Sequence, residues 1–345
     1  MTTQTTEPAQ TPEPTQTTQA QSLTAKGGGA WGDRAFRMLC VGAGLLVLAI
    51  LGLILLTTVN EALPAFAKEG LDFLTGDRWV ANDPDGPDGP KTPLFGALPF
   101  IFGSLVVSII ALIVAVPISV GIALFLTHLA PRWLRTPAIT VIDLLAAVPS
   151  VVFGLWGVLV VAPRAAKAYA WVHRALGDIP LLGSLFGEPV SSGRTLMTAG
   201  LIVAIMIIPI VTSISREVVN TVPETEKHAA LALGATRWEM IKGAVLPHSF
   251  GGIVGAVMLG LGRAMGETIA ITLVIGGSVQ IIANLFGSGY ALPAVIVDQW
   301  FEATGVHRSA LIGLGVVLFV ITILVNVAAR MIVRRAEAKM KGAAA

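Results

Sequence analysis

Long apolar stretches alternate with shorter polar segments along this chain. Six of them are about 20 residues or longer, at 38–59, 98–126, 138–161, 196–214, 253–275 and 310–329. Each is long enough to cross a hydrocarbon core of about 30 Å as a helix. Their apolar runs are too continuous for the alternating pattern of a membrane β-barrel. The pattern therefore predicts an all-α membrane protein with a bundle of six transmembrane helices.

The composition supports this assignment and narrows the class of protein. Hydrophobic residues make up 54% of the chain and charged residues 13%, whereas a soluble domain has about 25% charged residues. We therefore expect membrane lipid as a partner and no nucleic acid.

The distribution of Lys and Arg predicts the orientation in the membrane. Basic residues precede the first helix, fill the second-to-third turn and the fourth-to-fifth loop, and follow the last helix. Positive charge favours the cytoplasmic side, which predicts a multi-pass protein of the inner (plasma) membrane with both termini in the cytoplasm. Residues 164–194 depart from the rule, because they place four basic residues outside.

The N-terminal segment differs in composition from the rest. Its first 25 residues contain no Lys or Arg and few side chains that a core buries, so we expect residues 1–30 to form a disordered cytoplasmic tail. Residues 31–345 then form the membrane domain. Because no basic segment directly precedes an apolar core here, the first helix is interpreted as a retained anchor rather than a cleaved signal.

Two ionisable residues lie near the middle of the fifth stretch, Arg263 and Glu267. An ionised side chain at the centre of a membrane helix costs about 2.5–3.5 kcal/mol. Residues four apart share a helix face, so the two are expected to pair. One interpretation is a structural pair that fixes the rotation of the helix. The other is a translocation pathway in which Arg263 offers a planar fork of donors to an oxyanion and Glu267 balances its charge. Charged residues inside membranes usually face cavities or the bundle interior, which favours the pathway.

Neighbouring small and polar residues fit either interpretation. Thr268 is a candidate pathway residue that can donate to an oxyanion, although membrane threonines more often bond to their own backbone. Gly262 and Gly266 form a G-x-x-x-G step, which close helix packing explains better than substrate binding.

The cytoplasmic loop at 215–250 is long and mixed in charge. Glu224 and Glu226 precede a helix-forming run at 229–233, and Gly234 supplies a C-terminal break. A second short helix is predicted over 236–245, ending before Pro247. On pattern alone, an amphipathic connector on the lipid headgroups and a docking surface for a soluble partner are equally good interpretations.

The spacing in this loop resembles the EAA loop of permease subunits in ATP-binding-cassette importers. The match rests on Ala229 and Ala230, then Gly234, then the Leu246-Pro247 pair. The leading Glu of the motif falls on His228, and Glu226 lies two residues before it. The resemblance implies that the loop couples the chain to an ATPase subunit. The implied coupling residues are Glu226, His228, Ala229, Ala230, Gly234, Leu246 and Pro247.

Four further segments resemble the PstC-type permease of phosphate-specific importers. They are VPISVGIALFLTHLAP (116–131), DLLAAVPSVVFGLWG (143–157), AIMIIPI (204–210) and MLGLGRAMGETIAITLVIG (258–276). The amino-acid sequences of these segments resemble the PstC type more than the sister PstA type. The resemblance implies a type I, MetI-like permease bundle that forms the translocation pathway of an ATP-driven importer of inorganic phosphate. It also implies a transport role for the Arg and Glu of the last segment, here Arg263 and Glu267.

The resemblance also implies partners. These are a PstA-type sister permease, two ATP-binding subunits and a periplasmic phosphate-binding protein, and it allows phosphate-signalling proteins as well. The chain lacks a G-x-x-x-x-G-K-[ST] phosphate loop. We therefore expect no enzymatic activity, no metal and no cofactor in this chain, with ATP and Mg²⁺ bound in the partner ATPases.

Two other functions remain open from the residues alone. A passive oxyanion channel, or a carrier that uses Glu267 as a proton relay, predicts flux without ATP and no need for the 215–250 loop. A sensor or scaffold that reports phosphate status predicts partner binding with little flux. The residues do not distinguish phosphate from sulfate, molybdate or phosphonate, so phosphate as substrate depends on the resemblance.

Overall fold

The computed structural model describes residues 30–81, 94–180 and 182–343. Almost all of the predicted disordered tail lies outside these residues. The chain divides into two units, Met1–Ile54 and Leu55–Ala345. In the first unit, the described residues form the N-terminal part of one long helix, and the packing contacts and sites discussed below belong to the second unit.

The described residues are mainly helical. The helices are α1 Ala30–Glu69, α2 Asp72–Thr75, α3 Leu98–Leu124, α4 Arg132–Ala146, α5 Ser150–Trp156, α6 Ala162–Leu176, α7 Leu182–Leu185, α8 Leu196–Asn220, α9 Glu224–Ala232, α10 Arg237–Met240, α11 Leu246–Gly266, α12 Ile269–Val274, α13 Leu292–Gln299 and α14 Gly305–Ala343. π-helical turns at Phe125–Leu129, Gly157–Val161 and Ile241–Val245 extend α3, join α5 to α6 and join α10 to α11. Strands β1 Trp79–Val80 and β2 Leu94–Phe95 pair antiparallel, with Trp79 opposite Phe95.

Six of the described helical stretches are long and apolar enough to cross a membrane. They are Trp31–Glu69, Leu98–Leu129, Ser150–Leu176, Leu196–Asn220, Arg237–Gly266 and Gly305–Arg335. The predicted number of membrane helices and the all-α class are therefore confirmed.

The third membrane helix does not occupy the predicted stretch 138–161. α4 ends at Ala146, and Pro149 takes an extended conformation (ψ 139°) before α5 begins at Ser150. The residue that precedes a proline disfavours helical geometry, which explains the break after Ala147. The span then runs to Leu176, well beyond the predicted end at residue 161.

The fifth membrane helix is also displaced from its predicted stretch 253–275. It begins in the 215–250 loop at Arg237 and ends at Gly266. The second loop helix was predicted to stop before Pro247, but it continues through the π turn into α11. Pro247 directly follows the π turn, and local π-helical adjustments let a membrane helix accommodate a proline.

Helix α8 lies at the centre of the packed core. Its Ile202 and Ile207 are fully buried. At Gly200 an added Cβ would lie 2.5 Å from Cγ2 of Ile110 on α3, and at Gly260 of α11 it would lie 2.7 Å from Cγ2 of Val211 on α8. Small residues at these crossings let α3 and α11 approach α8 closely, which fixes α11 and the residues it carries.

Candidate functional site

The predicted pathway residues lie at a break in the fifth membrane segment. α11 ends at Gly266, Glu267 is extended (φ −69°, ψ 128°), and α12 begins at Ile269. Glycine favours such an end because it is a poor helix former. Arg263 therefore lies in the last turn of α11 and Glu267 beyond it, so the shared helix face that the four-residue spacing predicted is absent.

Glu267 caps the following helix instead of pairing with Arg263. Its side chain is buried, and its Oε1 accepts a hydrogen bond from the backbone N–H of Ala270 at 3.3 Å. A carboxylate at a helix N-terminus is favoured by the free N–H groups and the helix dipole. Within the described parts of the chain, neither Arg263 nor Glu267 has an ion-pair partner within 4.0 Å. The predicted ion pair is therefore wrong for this structure.

Arg263 is exposed and lines a large groove. The groove has a volume of about 1030 Å³, and helices α8, α11 and α14 line it. Three arginines provide all the charge among its described lining residues, namely Arg263, Arg330 and Arg334, and Asn326 adds an amide. Three unopposed guanidinium groups give the groove a positive potential that favours anions.

Two glycines on α11 keep the groove wide. Gly255 and Gly262 line it, and an added Cβ at either position would meet nothing within 4 Å. Gly260, by contrast, packs against α8. Helix packing therefore accounts for Gly260, while Gly255 and Gly262 leave the backbone beside Arg263 uncovered.

Thr268 is half-buried next to the break. Its Oγ1 donates to the carbonyl of Gly266 at 3.2 Å, so it bonds to its own backbone in this structure. Neither Thr268 nor Glu267 is among the described residues that line the groove. The structure thus separates the predicted pathway residues, with Arg263 on the groove and the other two at the break.

Sequence reasoning did not single out the α14 part of this groove. Asn326, Arg330 and Arg334 are spaced four residues apart, so they lie on one helix face. In the sequence, both arginines belong to the basic residues that follow the last apolar stretch, and such residues indicate only the orientation in the membrane. Their spacing is the signal that points to a shared surface.

In the 215–250 loop, the predicted helix break at Gly234 is confirmed. Gly234 has φ +84°, its N–H donates to the carbonyl of Leu231, and the N–H of Ala235 donates to the carbonyl of Ala230. These two bonds form a Schellman motif, which ends a helix at a left-handed glycine. Thr236 and Glu239 then form a capping box that starts α10. The loop is therefore a rigid corner.

One polar contact lies within α9, and a second, together with apolar packing, holds α9 against the membrane helices. Lys227 Nζ lies 2.9 Å from Glu224 Oε1, and His248 Nδ1 lies 3.1 Å from Glu226 Oε2. The hydrogen bond from Lys227, followed by its charge, lowers the pKa of Glu224 below its ordinary value. Ala230 and Leu246 pack against a small apolar cluster. The members of this cluster are Leu124, Val219, Val222, Met240, Ile241, Val245 and Ile253.

The outer face of the same loop is apolar and uncovered. Leu233 is 90% exposed, Trp238 64% and Leu231 40%, and His228, Ala229 and Pro247 are also exposed. Exposed apolar side chains on a rigid corner are typical of a surface that a partner covers. The predicted coupling residues thus divide into an inner set that anchors the loop and an outer set that surrounds this apolar surface.

Comparison with known proteins gives one family. Residues 115–338 match the model of the binding-protein-dependent transport system inner membrane component. The chain is 40% identical over 309 residues to the phosphate transport system permease protein PstC of Xylella fastidiosa (strain Temecula1), covering 89% of this chain and 92% of that protein. It is 40% identical to PstC of Haemophilus influenzae over 89% of this chain and 95% of that protein.

A likeness to solved structures supports the fold. A bacterial alginate ABC transporter, in complex with an alginate pentasaccharide-bound periplasmic protein, has a chain that superposes with a TM-score of 0.53 at 14% identity. The match covers 90% of this chain and 98% of that chain. It confirms a fold of the ABC-importer permease type.

Proposed function

The chain belongs to the family of binding-protein-dependent transport system inner membrane components, and we propose that it is the permease subunit of an ATP-driven importer of inorganic phosphate. The family consists of transport components, so the chain itself is not an enzyme. Phosphate as the substrate is taken from the names of relatives that are 40% identical over most of the chain.

The groove beside Arg263 is the observation that carries this proposal. Its charged lining consists of arginines alone among the described residues, and a guanidinium offers paired donors that match the oxygens of phosphate. Neutral or cationic substrates would gain nothing from this lining. Passage also requires binding that is weak enough for release, and exposure of Arg263 to water in the open groove limits how tightly it holds an anion.

Glu267 and Thr268 support the pathway in this proposal. Glu267 fixes the start of α12 through Ala270, and Thr268 completes the unwound turn between the two helices. Irregular backbone inside a membrane is tolerated where it is buried in protein or lines a cavity. We propose that these two residues hold the break directly after the helical turn that presents Arg263.

The 215–250 loop would be the docking site of an ATPase. Leu233 and Trp238 give the loop an exposed apolar surface, while the Schellman motif at Gly234 fixes its shape. We propose a PstA-type sister permease, two ATP-binding subunits and a periplasmic phosphate-binding protein as partners, with phosphate-signalling proteins as further candidates. ATP and Mg²⁺ would bind in the ATPases and no cofactor in this chain. Both termini would be cytoplasmic.

The alternative functions are less well supported. A passive channel or proton-coupled carrier needs no ATPase-docking loop, so it leaves the exposed apolar surface at Leu233 and Trp238 unexplained. Glu267 as a proton relay is disfavoured because its carboxylate caps α12 and does not line the groove. A sensor or scaffold does not require an arginine-lined groove.

Uptake of labelled phosphate into proteoliposomes tests the proposal. They contain this chain with its candidate sister permease and ATPases, with or without ATP and the binding protein. We expect accumulation only when both are present, and its loss in Arg263→Ala. Arg335→Ala removes an equally exposed arginine that does not line the groove and should retain uptake. Flux without ATP, or full uptake by Arg263→Ala, would contradict the proposal.

A second arm tests the coupling loop. Leu233→Ser removes the most exposed apolar side chain of the loop, and Ala232→Ser changes its exposed neighbour only slightly. We expect the first variant to lose co-purification of the ATPases and the second to retain it. Equal retention by both variants would contradict ATPase docking on this surface.

A further inference from the structure

The groove contains more cationic groups than one phosphate needs. It includes residues of α11 from Gly251 to Arg263, a length of about 18 Å at 1.5 Å per residue. A charge-assisted contact between arginine and an anion spans about 2.8 Å. Arg263 therefore accounts for only one end of the groove.

The other arginines form a separate group on α14. Asn326 and Arg334 are eight residues apart, about 12 Å along the helix, with Arg330 between them on the same face. In the proposed topology, α11 starts and α14 ends at the cytoplasm. The two helices are then antiparallel, and Arg330 and Arg334 lie between Arg263 and the cytoplasmic mouth.

Among the side chains that the structure describes, no carboxylate neutralises these arginines. Arg330 and Arg334 are exposed, and no described carboxylate lies within 4.0 Å of either. Three like charges that share one groove repel each other, and a bound anion relieves that repulsion. Asn326 adds an amide donor, which binds oxygen without adding charge.

We infer that Asn326, Arg330 and Arg334 form a second binding site for a phosphate oxyanion, into which the anion passes from Arg263 before release. The inference deepens the proposed function and depends on it for the identity of the anion. Multiple sites of moderate affinity allow an ion to leave one site by entering the next. Two sources can supply a phosphate group here, free inorganic phosphate and the headgroup of an anionic lipid, and we assign the site to the free anion.

Equilibrium binding of radiolabelled phosphate to the whole importer, purified without its binding protein, tests the inference. We expect two classes of site in the unaltered complex. Arg330→Gln/Arg334→Gln should weaken one class about ten- to a hundredfold, as expected for loss of charge-assisted hydrogen bonds, and Arg263→Gln should weaken the other. Arg330→Lys/Arg334→Lys keeps the charge but loses the fork, so it should have an intermediate effect.

Arg335→Gln is the matched control, because it removes a neighbouring charge that does not face the groove. It should retain both classes of site. Phosphate binding by Arg330→Gln/Arg334→Gln that equals binding by the unaltered complex would overturn the inference. Thermal stability of each variant confirms that the complex is intact.

A lipid arm distinguishes the two sources. The binding assay is repeated in phosphatidylcholine nanodiscs with and without phosphatidylglycerol, and bound lipid is counted by native mass spectrometry. Loss of bound phosphatidylglycerol in Arg330→Gln/Arg334→Gln with unchanged phosphate binding would assign the site to lipid and overturn the inference. Uptake by the unaltered complex tests the proposed function separately, since importer activity can stand even when only one phosphate site is found.

Discussion

Gly103 of α3 provides a direct test of the packing between α3 and the backbone at Tyr290. A Cβ added there would lie 1.9 Å from the carbonyl oxygen of Tyr290 and 2.8 Å from its carbonyl carbon. Both atoms belong to the backbone, so no side-chain rotation relieves the clash. To reach even 3.0 Å from the oxygen, the two segments must separate by at least 1.1 Å.

That separation also breaks a neighbouring contact. The backbone N–H of Leu292 donates to Ser104 Oγ at 2.8 Å, and both residues are buried. An unsatisfied buried donor costs about 1–3 kcal/mol, and overpacking of a core costs about 1–3 kcal/mol. We therefore expect Gly103→Ala to destabilise the protein by about 2–6 kcal/mol, reduced by the gain in helix propensity of about 0.5–1 kcal/mol.

Gly121→Ala is the matched control, because Gly121 lies on the same helix and an added Cβ there meets nothing within 4 Å. Only the gain in helix propensity applies to it, so its thermal midpoint should equal or exceed that of the unaltered protein. The midpoint is measured in detergent by tryptophan fluorescence. If Gly103→Ala unfolds at the same temperature as Gly121→Ala, the close approach of α3 to Tyr290 is refuted.

Three further predictions concern the break and the loop. Glu267→Ala should lower the thermal midpoint because it leaves the N–H of Ala270 unpaired, at a cost of about 1–3 kcal/mol. Glu267→Gln keeps an acceptor and should be nearly neutral. An equal drop in the thermal midpoint of both variants would contradict the cap. Thr236→Ala should cost about 0.5–2 kcal/mol and raise amide hydrogen exchange over residues 237–240, whereas Thr236→Ser retains the capping hydroxyl and should not. Because the folded pKa of Glu224 is lowered, its pair with Lys227 stabilises α9 above the ordinary pKa of a glutamate and is lost as the pH falls through the lowered value. Hydrogen-exchange protection of α9 should therefore differ between Glu224→Gln and the unaltered chain at pH 7 but converge in acid, and a difference that persists there would contradict the pair.

The six membrane helices could be predicted because continuous apolar length is a local property of the sequence. The residues at which these helices begin and end were harder to predict from the sequence. The stretch 138–161 is apolar on both sides of Pro149, so its average hydropathy conceals the end of α4. The residue pair Val148-Pro149 was the available signal, because the position before a proline disfavours helix.

Only part of the candidate site could be predicted from the sequence. The sequence marks Arg263 as a charge that requires an explanation, and in the structure this residue lines the groove. Its pairing with Glu267 assumed a helix that continues past Gly266, and the Gly-Glu-Thr sequence already weakened that assumption. The arginines of α14 could not be assigned to the groove, because only tertiary packing brings α14 beside α11.

The continuity of one helical stretch connects the loop to the groove. From Arg237 to Arg263 the chain is helical through α10, the π turn and α11, a length of about 39 Å. Had the loop helix ended before Pro247, as its sequence predicted, movement of the loop would have been absorbed there. Because the stretch instead ends at Gly266, we expect displacement of the 215–250 loop to reach Arg263 directly. The extended residue Glu267 is where α11 can change its angle relative to α12. The break between Arg263 and Glu267 therefore allows α11, with Arg263, to change its angle relative to α12. An ion pair between the two residues within one continuous helix would have restrained that movement.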